Sequence, residues 1–296
     1  MAGERPRLAQ PDRFTLDGAC AVIATMHGKE RVLAPLLETM LGVTCCVAPG
    51  LDTDAFGTFS RERAREGSAH DAARAKAAAA LQLVPDARLA IASEGSFGPH
   101  PQIPFAPLGR EVVLLVDRAT GLEISGEDVT LDVRYAHTIA RTGDEAETFA
   151  ERVGFPDHGL IVMGCDGDQP DPTTALVKGI TRPGALAAAV EAAIALTGAA
   201  FVETDMRAHY NPTRMAAIAR AGRDLARRYA SRCPACAHPG FAVVERIAGL
   251  PCRWCGTPTG LAMTQVLACI ACNHRTQQPA SDQAGADPGH CPRCNP

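Results

Sequence analysis

Four Cys-x-x-Cys pairs crowd the last 64 residues: Cys233/Cys236, Cys252/Cys255, Cys269/Cys272 and Cys291/Cys294. Such a turn presents two thiolates to one ion, and two turns complete a tetrahedral site, so eight cysteines point to two structural zinc ions, with iron–sulfur as the alternative. The pairs are separated by 15, 13 and 18 residues. Joining first with second and third with fourth gives two zinc ribbons; alternate joining gives an interleaved module. The segment "GFAVVERIAGL" is long enough for a small hairpin between the first two pairs, which favours consecutive joining. With few apolar residues, this tail needs the metal to fold.

A second constellation is acidic. In an open α/β sheet, ligands gather at the carboxyl ends of strands. Three strand-like runs here end in acids: Asp52 and Asp54 after "VTCCVA", Glu94 after "LAIAS", and Glu203 with Asp205 in "FVETD". Converging carboxylates repel unless a hard cation sits among them, and Mg²⁺ commonly takes one or two carboxylates plus substrate phosphate. These five acids form the candidate Mg²⁺ pool. Glu94 and Asp205 are the catalytic candidates, with Glu94 suited to orient or deprotonate water. His100, in "SFGPHP", is a candidate acid or base, although the plainer role of a loop histidine is structural.

Cations stand near these acids in sequence. Lys29 opens a predicted helix, where free N–H groups already favour an anion. Arg207 and Arg214 flank Asn211-Pro212, a good N-cap and first-turn pair for the last long helix. Arg214 lies at the edge of that helix's apolar stripe and points to the domain body, whereas Arg220, Arg223 and Arg227 form a solvated face. Carboxylate, metal and arginine around phosphate suit phosphoryl chemistry. The plainer alternative is an internal salt-bridge cluster.

The elements that must hold these groups alternate between strand and helix. "ACAVIAT" reads as a strand buried on both faces, followed by a helix over "RVLAPLLETML" that Pro35 threatens to break. Ser68 and Asp71 cap an Ala-rich helix. "ARLAIAS" is a strand running into "EGSFGPHPQIPF", whose Gly and Pro content predicts a shaped loop. Further strands lie in "EVVLLVD", "GLEIS", "HGLIVMGC", "TALVKGI" and "AAFVETD", with a helix near 183–197. The expected architecture is α/β, a mixed sheet with flanking helices, plus a small C-terminal zinc-ribbon-like module. Its parts are a flexible arm over 1–16, an α/β catalytic domain over 17–230 and the zinc module over 231–296.

Composition narrows the setting. The 296-residue chain is 46% hydrophobic and 21% charged with net charge −4, so no global basic field points to nucleic acid. The tail is mildly basic, five Arg against three acids over 231–296, which leaves nucleic acid a candidate partner there, with Trp254 and Phe241 able to stack on bases. The start has no secretory apolar core, and no apolar run is long enough to span a bilayer, so a cytoplasmic protein without a membrane partner is expected. Cys20, Cys45, Cys46 and Cys165 read as small buried hydrophobes.

The first hundred residues resemble the house-cleaning nucleotide pyrophosphatases of the inosine triphosphatase type, through "IATMHGKE", "ARAKA" and "IASEGSF" in that order. The resemblance implies phosphate contact for Lys29, Arg74 and Lys76, and metal or general-base work for Glu94. His27 stands where that family has Asn. The tail resembles tandem zinc ribbons. Together with "DTDAFGTFS", "SEGSFGPHP" and "ETDMRAHYNPTRM", it resembles a bacterial family of unknown function. The expected activity is an Mg²⁺-dependent hydrolase or transferase of a nucleotide or other phosphorylated small molecule. The alternative is a non-enzymatic adaptor that docks on nucleic acid or protein through its zinc module.

Overall fold

The computed structural model describes residues 13–57 and 67–296. Most of the arm expected over 1–16 and the end of the "DTDAFGTFS" loop lie outside them. Two compact units divide the described residues: Thr15–Ala226, and Arg227–Pro296 with Arg13 and Phe14.

In the first unit, β1 (Cys20–Ala24) is buried from its second residue onward, as an unbroken apolar run requires. A short turn feeds α1 (Glu30–Leu41), which turns Leu33 and Leu37 inward and carries Pro35 without ending. β2 (Thr44–Val47) returns parallel to β1. α2 (Ala69–Leu83) opens with the reciprocal Ser68–Asp71 capping box. Its stripe of Ala73, Ala77 and Ala80 packs against Val22, Ala24, Ala90 and Ala92, methyl against methyl. β3 (Leu89–Pro99), β4 (Pro107–Asp117) and β5 (Leu122–Thr130) complete a mixed sheet in the order β2-β1-β3-β4-β5.

One expectation changes here. The stretch after Ser93, expected to be a loop, is strand as far as Pro99, paired with β4 until Pro99 faces Pro107. Both prolines sit at strand tips, where a missing N–H removes no central ladder bond. β1 accompanies β3 only to Ala92, so β3 runs on past the end of that parallel neighbour. Glu94 therefore lies in the body of a strand, just past the end of its parallel neighbour.

The chain then builds an antiparallel sheet from β6 (His137–Ala140), α3 (Gly143–Val153), β7 (Leu160–Asp166), β8 (Gln169–Asp171), β9 (Val177–Ile180), α4 (Pro183–Thr197) and β10 (Ala200–Thr204). The strand order is β6-β10-β7-β8, with β9 also on β7. Phe149 and Val153 of α3 and Leu186 and Val190 of α4 cover Leu160, Val162 and Val202. Each such side chain, fully buried, contributes about 1.5–3 kcal/mol. α5 (Pro212–Ala230) buries Ile218 and Leu225. It crosses β5 at Gly126, where a Cβ would lie 2.0 Å from the backbone N of Leu225. Only glycine allows this approach.

The second unit carries a three-stranded antiparallel meander, β11 (Ala242–Ala248), β12 (Ala262–Ala268) and β13 (Arg275–Pro279). The segment expected to form a hairpin between the first two cysteine pairs is the single strand β11, whose partner β12 follows the second pair. No helix among the described residues is long and apolar enough to cross a membrane.

Candidate functional site

Where β1 stops and β3 continues, five charged side chains are buried: Lys29, Lys76, Glu94, Glu111 and Arg214, none more than 6% exposed. Lys29 comes from the turn into α1, and its Nζ donates to the Ser93 carbonyl at 3.1 Å. Lys76 is the one charged residue on the buried alanine face of α2, and its ammonium pairs with Glu94 Oε1. Glu111 of β4 accepts from Arg214 Nε at 2.6 Å, and Arg214 also donates to the Met206 carbonyl. Asn211 caps α5 by accepting from the Arg214 backbone N–H at 2.9 Å, which aims that arginine inward. Gly95 makes room: a Cβ there would sit 2.5 Å from Glu111 Oε1.

Among the described residues three basic side chains meet two carboxylates here, away from water, and the side chains feel one another. Burial and the Arg214 charge push the Lys29 ammonium down to about 7, with Glu94 and Glu111 pulling the other way. Burial acts to raise the Glu94 carboxyl, but Lys76, Lys29 and Arg214 outweigh it and hold the carboxyl below its usual range. Hydrogen-bonding capacity is left over: Ser93 Oγ and Glu111 Oε2 are buried without a partner among the described residues. A cavity of about 10 Å³ adjoins Glu111, Asn211 and Arg214. That is room for about one water molecule.

The other expected site residues are placed elsewhere. Asp52 caps the short turn at Thr53–Phe56, accepting from Asp54 N–H. Asp54 meets His27 Nε2 at 3.0 Å. Glu203 is buried in β10, opposite His137 and Ile161. Asp205 is fully buried and accepts from the Arg207 side chain, the Arg207 N–H and the Gly179 N–H. His100 Nδ1 accepts from the N–H groups of Gln102 and Ile103, holding the β3–β4 turn. Arg74 lies on the outer side of α2, paired with Asp71 and Glu123. Among the described residues, no three acids or histidines converge on one point; the only groupings of ligand type are two cysteine tetrads. Glu111 and His27 were not among the sequence candidates. An acid interrupting the apolar approach to "VVLLV" was the available signal for Glu111.

In the second unit, each Cys-x-x-Cys folds into the same turn. The backbone N–H of Ala237, Gly256, Asn273 and Asn295 donates to the carbonyl of Cys233, Cys252, Cys269 and Cys291 respectively, at 2.8–3.0 Å. Cys233, Cys236, Cys269 and Cys272 form one tetrad; Cys252, Cys255, Cys291 and Cys294 form the other. The consecutive joining favoured by the sequence is thus corrected to alternate joining. The meander is the cause, because successive turns of an antiparallel sheet lie at opposite ends, about 20 Å apart for a seven-residue strand. First and third turns share one end, second and fourth the other. Sulfur separations of 3.7 Å for Cys233–Cys272 and for Cys236–Cys269, and 3.6 Å for Cys255–Cys291, suit one ion per tetrad. Zn–S bonds of about 2.3 Å in a tetrahedron place sulfurs about 3.8 Å apart. Each tetrad can hold one zinc ion.

Compared with known proteins, residues 76–296 match the family model described as Domain of unknown function (DUF6671). No curated protein matches the chain. The matched range takes in Lys76, Glu94, Glu111, Arg214 and all eight tail cysteines.

Proposed function

Because the chain belongs to the family described as Domain of unknown function (DUF6671), whose description carries no activity, we propose a function from its side chains: a hydrolase or transferase of a phosphorylated small molecule, nucleotides first among the candidates. The observation that carries this reading is the buried Lys29 ammonium and the basic side chains gathered around it. An ammonium with three donors gives one to Ser93 O, beside a Ser93 hydroxyl that has no partner among the described residues, at the end of β1 and the start of α1. A phosphate group supplies oxygen acceptors and negative charge that suit these donors. Lys29, Lys76 and Arg214 are its holders, and Glu94 is the ionised acid among them. Lys29, Lys76 and Glu94, which carry the resemblance to the pyrophosphatases, are neighbours in this cluster, which supports the reading.

The expected Mg²⁺ has weaker support. Asp52, Asp54 and Asp205 are engaged elsewhere, and Glu203 lies in the other sheet. An ion arriving with phosphate needs only one or two carboxylates, and Glu94 is the one that would meet it; no step here is derived through a metal. The test is release of phosphate or pyrophosphate from standard and deaminated nucleoside triphosphates, with Mg²⁺ and with EDTA, alongside Lys29→Met and Glu94→Gln. Release that disappears in both variants is expected. Undiminished release by folded Lys29→Met protein would end the reading.

A second reading rests on Trp254 and Ile270, which are 77% and 72% exposed inside their Cys-x-x-Cys turns. It makes the tail a docking module for nucleic acid or protein. Salt-sensitive binding of single-stranded nucleic acid, lost on deleting residues 231–296, is its signature.

A further inference from the structure

His27 lies two residues before Lys29, in the turn between β1 and α1. Its Nε2 is 3.0 Å from Asp54 Oδ1, and its ring stacks on that of His209 with centroids 5.1 Å apart. The connections that follow β1, β2 and β10 thus meet on one imidazole. The side chain remains 11% exposed, so solvent reaches it, and Asp54 is 32% exposed. Burial pushes the ring's pKa down to about 4, with Asp54 pulling upward and Lys29 and His209 pushing further down. The imidazole is therefore neutral at neutral pH, and the contact with Asp54 is a hydrogen bond that Nε2–H donates. That fixes the tautomer and leaves the lone pair on Nδ1. Among the described residues nothing bonds Nδ1. Glu94, the acid expected to handle protons, already has Oε1 engaged by Lys76.

We propose that His27, oriented by Asp54, is the general base of the site, taking the proton of the nucleophile that attacks a phosphorus atom of the ligand held at Lys29. The proposal rests on the phosphorylated-ligand reading above. As the nucleophile, water or an acceptor hydroxyl, forms its O–P bond, its O–H bond breaks and the proton passes to Nδ1. The P–O bond to the leaving group breaks, and the electron pair stays on the leaving oxygen, which takes a proton from the imidazolium or from solvent. Asp54 stabilises the imidazolium by accepting its Nε2–H. A bound phosphate brings negative charge beside the ring and raises its proton affinity when a base is needed. Among the described residues the groups facing the ring are Asp54, Lys29 and His209, with Arg207, Asp205 and Arg31 around His209.

The experiment is nitrogen NMR of the zinc-loaded full chain with labelled histidine, using pyrophosphate as the probe. The Nε2–H tautomer is expected in the free protein. Pyrophosphate should raise the His27 pKa by at least about one unit, a tenfold gain in proton affinity, and Lys29→Met should abolish the rise. Absence of pyrophosphate binding would remove the phosphate reading and this proposal together. Binding that depends on Lys29 but leaves His27 unmoved would remove only the proposal. On a substrate found by the release assay, His27→Ala should lower kcat by about 100-fold or more. KM should stay within about threefold, and added imidazole should restore part of the rate. Unchanged kcat, or a loss confined to KM, overturns the assignment; so does a lost rate that imidazole fails to rescue.

Discussion

Residues Thr15–Ala226 bury two lysines, an arginine and two glutamates in one cluster, among alanine, valine and leucine. Among the described residues the unit that begins at Arg227 buries no such charge; its buried side chains are chiefly Phe241, Leu250, Val266 and the first cysteine of each pair. Both face the cost of taking polar groups from water, but they offset it differently. The first unit has helices packed on two sheets, and their hydrophobic contribution carries a desolvated ionic cluster as a modest fraction of the whole. A three-stranded sheet has too little apolar surface for that, and metal–sulfur bonds take its place.

Removing the metal tests this contrast most severely. A structural zinc contributes about 10–16 kcal/mol, so a strong chelator should unfold β11–β13 and leave the α/β unit folded. Amide spectra before and after chelation report both. Survival of the meander without metal would erase the difference between the units. Zinc content of paired substitutions sharpens the point. Cys233→Ser with Cys272→Ser should keep one zinc, because both cysteines belong to one tetrad. Cys233→Ser with Cys252→Ser should keep none. Consecutive ribbons would reverse the two results.

Within the α/β unit the largest effect belongs to Arg214. Arg214→Met leaves Glu111 buried and unpaired and should cost about 3–5 kcal/mol in urea unfolding. Adding Glu111→Gln should restore a large part, since the uncompensated charge is gone. Lys29 gives an effect on the order of a few kcal/mol that depends on pH. Its pKa is about 7 in the folded chain against 10.5 as the ordinary value. Between these values the unfolded chain holds a proton that the folded chain has released, so stability rises with pH across that window. Lys29→Met should remove this rise. Arg74→Ala should be the smallest change: its pairs with Asp71 and Glu123 face solvent, and no measurable shift in Tm is expected.

Local features could be read from the chain with little help. The Ser68–Asp71 box, the Asn211 cap and the repeated Cys-x-x-Cys turn each close within four residues. The amphipathic spacing of Ala146, Phe149, Ala150 and Val153 in α3 was equally open to reading, and the sequence reading passed over it. The extension of β3 to Pro99 was hidden because its Gly- and Pro-rich residues owe their conformation to the ladder with β4. Propensity alone could not supply that partner.

By itself the amino-acid sequence determined the α/β class, the position of most strands and the identity of eight metal-type thiolates, because these rest on periodicity and on neighbours in the chain. It also placed Lys29, Glu94 and Arg214 among the candidates by residue type and position, and Lys76 through the resemblance alone. Only the tertiary structure decided that Glu111 meets Arg214 across 103 positions, and that Asp54 turns to His27 while Asp205 turns to Arg207. It also decided that the cysteine turns join alternately. Contacts of that kind follow from strand order, direction and register, which are set by how whole faces pack.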